Sequence, residues 1–192
     1  KELLREADDA GIAGYVSQTA ARDEKRIYYL TDNTEEERRE ILKEIARRGS
    51  VPPEIERIYP ALGCYLQNYS FSGENGPRLT DYFAQYKLQK VCNAITPEFL
   101  QEVLELARPG NRLYHFLPTR GSVLERLASP RDLLYWIDGL GVEYLGYLQK
   151  RAKELGLVLS ITVAKAELPT LTAVNRDFYD NWSGPKENTR RL

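Results

Sequence analysis

The sequence predicts an α-rich α/β fold: a helical region over residues 1–128, then over 129–192 a βαβ unit with two parallel strands. Three observations carry that prediction. Helix-start and helix-stop residues recur through the first two thirds of the chain and bracket apolar residues at helical spacing. Two apolar runs of strand length, Leu133–Ile137 and Leu157–Val163, then flank one helical segment. A strand–helix–strand of that length makes a right-handed crossover to a parallel neighbour in nearly every case.

The elements follow in order. Leu3, Leu4 and Ala7 begin a helical stretch that loosens through Gly11 and Gly14, and Ile27–Leu30 is a short apolar run, either strand or helix entry. Thr34 to Glu37 reads as a capping box: the threonine hydroxyl accepts from the backbone three residues on, and the glutamate reaches back. The helix continues through Ile41, Leu42 and Ile45 to Arg47, Arg48 and Gly49, a basic last turn with a glycine stop. Its mixed charges are expected on a solvated face. A second helical segment spans Glu54–Leu66, with Pro60 forced to start a new turn. Ser70–Arg78 is the clearest loop, either a domain boundary or a long connection between helices. Thr80 opens the next helix, with Tyr82, Phe83, Tyr86, Leu88 and Val91. Thr96-Pro97-Glu98 opens another, carrying Phe99, Val103, Leu104 and Leu106. Leu113–Leu117 leads to Thr119-Arg120-Gly121 and a short helix ending near Ala128, and Ser129-Pro130 breaks the chain before the α/β unit.

In that unit, Leu133–Ile137 suits a strand buried on both faces. Leu145, Leu148, Ala152 and Leu155 mark the crossover helix, Gly156 stops it, and Leu157–Val163 supplies the second strand. Asp138 then follows the first strand and the loop Leu168-Pro169-Thr170-Leu171-Thr172 follows the second. Both emerge at the carboxyl edge of the sheet, where open α/β sheets place their chemistry.

The totals exclude several classes. A formal net charge of −1 gives no general attraction to nucleic acid or anionic membrane. No run approaches the roughly 18 apolar residues of a membrane span, so a cytoplasmic protein is expected. Cys64 and Cys92 have no metal-site spacing and read as buried or half-buried thiols in a reducing compartment. The absence of methionine makes residue 1 an unnatural start, as in a processed or excised product. His115 is the single histidine, and in its apolar setting it reads as a packed residue rather than a ligand. Tyr82 and Tyr86 beside Lys87 and Lys90 offer one aromatic-plus-basic surface of the kind that binds single-stranded nucleic acid, although core and rim tyrosines are the commoner reason for such spacing.

An acid and a hydroxyl at one sheet edge admit two readings. A hydroxyl at a helix start faces free backbone N–H groups, and with a divalent metal held by the acid it becomes a nucleophile. Alternatively Asp138 starts a turn and Thr170 or Thr172 caps a helix. Spacing alone favours the second.

Asp138-Gly139-Leu140-Gly141 after one strand and Leu168–Thr172 after the next resemble the opening of the PglZ domain, a member of the alkaline phosphatase superfamily found in BREX phage-defence systems. Tyr82–Lys87, Lys90, Asn93 and Thr119-Arg120 are similar to the helical region ahead of that domain in some PglZ proteins. The resemblance implies a metal-dependent phosphatase or phosphodiesterase. Asp138 would be a metal ligand and Thr172 both metal ligand and nucleophile, with Thr170 as the other candidate and zinc as the expected metal. It implies other phage-defence proteins as partners. That family completes its two-metal site with aspartates and histidines much later in the chain, whereas this sequence runs about twenty residues past Thr172 and its one histidine precedes the motif. The expectation is therefore the N-terminal part of a larger enzyme, inactive alone. The alternative is a non-catalytic helical module that docks defence proteins or nucleic acid.

Overall fold

The computed structural model describes residues 9–20, 30–110, 117–124, 133–176, 182 and 184–191. Among them the fold is α-rich with a small two-stranded parallel sheet, the α-rich α/β class that the sequence predicts. Packing divides the chain into two units, Lys1–Gln101 with Glu143–Gly156, and Glu102–Val142 with Leu157–Leu192. This line runs differently from a division at residue 128, because the helix expected to cross over the sheet belongs to the first unit.

In the first unit, α1 (Asp9–Ala20) packs on α2 (Glu35–Arg48). The capping box forms as expected. The Glu37 amide donates to Thr34 Oγ1 at 3.2 Å, and the Glu37 carboxylate accepts from the Thr34 amide at 3.3 Å. Gly49 ends the helix at φ 63°, a left-handed position that glycine occupies without steric cost.

Ile41 and Ile45 are fully buried, and so are Glu37 and Glu44, which share their helix face. The expected solvated face therefore holds for Glu35 and Arg39 but not for these two acids. Each is satisfied locally, as a buried charge must be. Glu37 accepts from the amides and hydroxyls of Thr31 and Thr34, and Glu44 takes both Arg47 and Arg48 at 2.7 Å.

Pro60 splits the next segment into α3 (Ile55–Ile58) and α4 (Pro60–Tyr65). The loop that follows ends earlier than expected, since α5 (Gly76–Cys92) begins with Pro77 in its first turn. Thr80 is not its cap. The Thr80 hydroxyl donates to the Gly76 carbonyl at 2.9 Å and accepts from the Phe71 amide at 3.0 Å, tying the loop to the helix. Thr96 does cap α6 (Pro97–Ala107), accepting from the Phe99 amide at 3.3 Å. The core of this unit joins Leu30, Ile41, Ile45, Ile55, Ile58, Leu62, Leu66 and Leu88.

A 3-10 turn (Val142–Tyr144) leads into α8 (Leu145–Glu154), which packs on α4. Gly146 allows that approach, because a Cβ there would run into the Gln67 carbonyl. Lys150–Glu56 (2.7 Å) and Lys90–Glu143 (3.3 Å) ion pairs and a Tyr65–Tyr144 edge contact fasten the segment.

The second unit contains α7 (Arg120–Leu124), β1 (Leu134–Trp136), α9 (Thr172–Asn175) and β2 (Thr189–Arg191). β1 and β2 run parallel, pairing Leu134 with Thr189, Tyr135 with Arg190 and Trp136 with Arg191. The parallel partner of β1 is thus not Leu157–Val163. That segment forms no strand: Val158 is fully exposed, and the chain makes only an isolated bridge at Lys165 to Thr119. Strand composition does not make a strand without a ladder to join. β1 is also not buried on both faces, since Leu133, Tyr135 and Ile137 are about half exposed.

Candidate functional site

β1 ends at Trp136, and two residues later Asp138 stands exposed in a turn completed by Gly139 at φ 71°. Thr172 is the first residue of α9 and is half-buried. The chain brings the two together across 34 positions: Thr172 Oγ1 donates to Asp138 Oδ1 at 3.3 Å and lies 3.5 Å from Oδ2. Thr170 is exposed, and no cap bond joins it to α9. Of the two threonines, Thr172 is the one that meets the acid.

Adjacent strands do not deliver the pair. The loop before α9 is held from its two ends by three consecutive residues. The Lys165 amide donates to the Pro118 carbonyl at 3.0 Å beside the Thr119–Lys165 bridge, and Arg120 Nη1 donates to the Asn175 carbonyl at 2.8 Å. Inside the loop, the buried Asn175 side chain accepts from the Glu167 amide at 2.8 Å. It donates to the carbonyls of Glu167 (3.0 Å), Pro169 (3.2 Å) and Leu171 (3.0 Å). Asn175 escaped the sequence reading. Its one signal was an asparagine just past a Pro-Thr-Leu-Thr turn, and asparagine readily bonds neighbouring backbone groups.

A carboxylate accepting from a hydroxyl can take its proton as the oxygen attacks an electrophile. The pair also presents oxygen donors suited to a divalent cation. It does not amount to a zinc centre, which needs at least three protein ligands. Among the described residues no three His, Cys, Asp or Glu side chains gather as a metal group. His115 lies outside the described residues.

Tyr82 and Tyr86 are half-buried, the commoner arrangement for tyrosines so spaced. Lys87 is buried and donates to the Gln67 carbonyl, and burial pushes its pKa below the ordinary lysine range while Glu143 pulls it back. Lys90 lies over the Tyr86 ring and is held above its usual range, chiefly by its hydrogen bond to Glu143. Tyr82 packs against Phe99, with ring centres 5.4 Å apart. Cys64 and Cys92 are free and half-buried, and burial pushes the Cys92 thiol up. Among the described residues no helix is long and apolar enough to cross a membrane.

A family model described as a domain of unknown function, DUF7863, matches residues 1–48. The match spans α1 and α2 and stops at the last residue of α2, ahead of Asp138 and Thr172. Comparison with curated proteins and with solved structures gave no match.

Proposed function

We propose that this chain contributes Thr172 and Asp138 to a phosphoester-hydrolase site, Thr172 as the attacking hydroxyl and Asp138 as the acceptor of its proton. The observation that supports this is the 3.3 Å hydrogen bond between two side chains far apart in sequence. Thr172 Oγ forms a bond to phosphorus, the proton passes to Asp138, and the ester oxygen leaves with its electron pair. Water then hydrolyses the phosphothreonine. In the family that the sequence resembles, the acid is a metal ligand, and zinc would need ligands beyond these two. The chemistry assigned to this chain runs through Thr172 and Asp138 alone, within a phage-defence enzyme of the bacterial cytoplasm.

The test gives zinc and an aryl phosphate ester to the 192-residue chain and to any longer polypeptide that its gene encodes. The chain alone is expected to give no turnover. A polypeptide that supplies the further ligands is expected to hydrolyse the ester and to lose at least about a thousandfold in Thr172→Ala, as removal of a nucleophile does. Turnover indifferent to Thr172→Ala and Asp138→Asn overturns the reading. Thr172-dependent turnover by the chain alone overturns the need for ligands from outside it.

A second reading, a helical module that docks defence proteins or nucleic acid, draws on α6, where Leu100 and Leu104 are about half exposed next to the more exposed Ile95. It predicts partner binding that survives both site substitutions and is lost in Leu100→Glu.

A further inference from the structure

We infer that Asn175 is the positioning residue of the Thr172–Asp138 pair, with Arg120 as its second anchor. The significance of this for catalysis rests on the reading above, whereas the geometry stands by itself.

The contact between the pair is long. An O–H···O bond is usually 2.7–2.8 Å, and Thr172 Oγ1 stands 3.3 Å from its nearer carboxylate oxygen, with Asp138 exposed. So stretched a bond at the surface is too weak to order the loop that carries Thr172. Something else must hold that loop, and Asn175 has the right place and valence. It is 8% exposed, the only buried residue of α9. Its carbonyl oxygen takes the Glu167 amide, and the two hydrogens of its amide nitrogen are spread over the carbonyls of Glu167, Pro169 and Leu171. The backbone from 167 to 171 is therefore wrapped around a single side chain.

Leu171 is the decisive neighbour. Its carbonyl also accepts from the Val174 and Asn175 amides, each at 3.0 Å. That carbonyl belongs to the peptide joining Leu171 to Thr172. Fixing it fixes the direction in which the Thr172 side chain leaves the backbone. Arg120 completes the arrangement by holding the Asn175 carbonyl at 2.8 Å, while the Lys165 amide on the Pro118 carbonyl secures the other end of the loop.

The test uses the full chain with Cys64→Ser and Cys92→Ser, so that Asp138→Cys and Thr172→Cys supply the only thiols. The readout is the rate at which they close to a disulfide under mild oxidation. Asn175→Asp keeps the size of the side chain and its acceptor but removes all three donations. It is expected to slow closure by about tenfold, as a lower effective concentration of one thiol at the other would. Arg120→Met is expected to slow closure by a smaller factor. Ile45→Val, which loosens the helical core, is expected to leave the rate unchanged. Closure at the parent rate in Asn175→Asp overturns the inference, and so does equal slowing by Ile45→Val. If Asn175→Asp fails to fold, Arg120→Met decides, with an unchanged rate counting against the inference. Because the thiol pair carries no hydroxyl nucleophile, this result is independent of hydrolysis. Slowed closure alongside Thr172-independent turnover would keep the positioning role and remove the catalytic one.

Discussion

The helical unit and the sheet unit are held by different physics. In the first, a cluster of aliphatic side chains from α2 to α5 is buried, and two acids, Glu37 and Glu44, are enclosed and hydrogen-bonded with it. In the second, Trp182 is the one buried hydrophobic residue among those described, and leucines, valines and a tyrosine stand exposed along β1, 157–159 and the 168–174 loop. Hydrogen bonds, not apolar burial, set the shape of that loop. The candidate chemistry therefore lies in the less densely packed unit, where small losses of bonding move side chains most readily.

The sharpest way to break this contrast is a pair of truncations. Ile45→Ala, at a fully buried position, is expected to cost about 2–5 kcal/mol, whereas Val158→Ala should stay within about 0.5 kcal/mol. Denaturant midpoints measured on both decide it. A Val158 cost matching that of Ile45 would mean that the second unit has a core of its own. Next in size is Gly146→Ala, which drives a methyl into the Gln67 carbonyl and should cost about 1–3 kcal/mol through displacement of α8. Circular dichroism melts are enough to read it.

Legibility from sequence divides along the same line. The capping box at Thr34, the break at Pro60 and the Thr96 cap depend on residues within one turn, and all three were readable. The Leu157–Val163 strand was not, because a strand needs a ladder partner, and the place beside β1 went to Thr189–Arg191. The burial of Glu37 and Glu44 was masked by their charge, although both lie on the same helix face as Ile41 and Ile45. At the site, Asp138 and Thr172 were readable as residues and their proximity holds. Asn175 was missed because its work is done on backbone groups, which sequence pattern does not display.

The smallest effect concerns pH. Burial depresses the Lys87 pKa in the folded protein, so between that value and the ordinary 10.5 the unfolded chain binds more protons than the folded one. Its contribution to stability is complete above 10.5 and is lost as pH falls through the depressed value. Wild-type stability should therefore gain from Lys87 as pH approaches 10.5, and Lys87→Met should remove that gain. Lys90, whose pKa is raised, contributes the opposite slope only above 10.5. Urea titrations at a series of alkaline pH values would show whether the slope is missing in the variant.

The route of the chain through α8 has a consequence for how this protein can be divided. The polypeptide leaves the helical unit after Gln101, returns at Glu143 to lay down α8, and leaves again after Gly156. Neither unit is a continuous piece of sequence. A single protease nick followed by separation of the fragments, a gene split or a simple truncation cannot release one intact. A product ending at Gln101 lacks the helix that covers α4, and one starting at Glu102 carries that helix without the surface it rests on. Function assigned by cutting the gene into halves would therefore be assigned to damaged parts, and point substitutions are the sounder instrument.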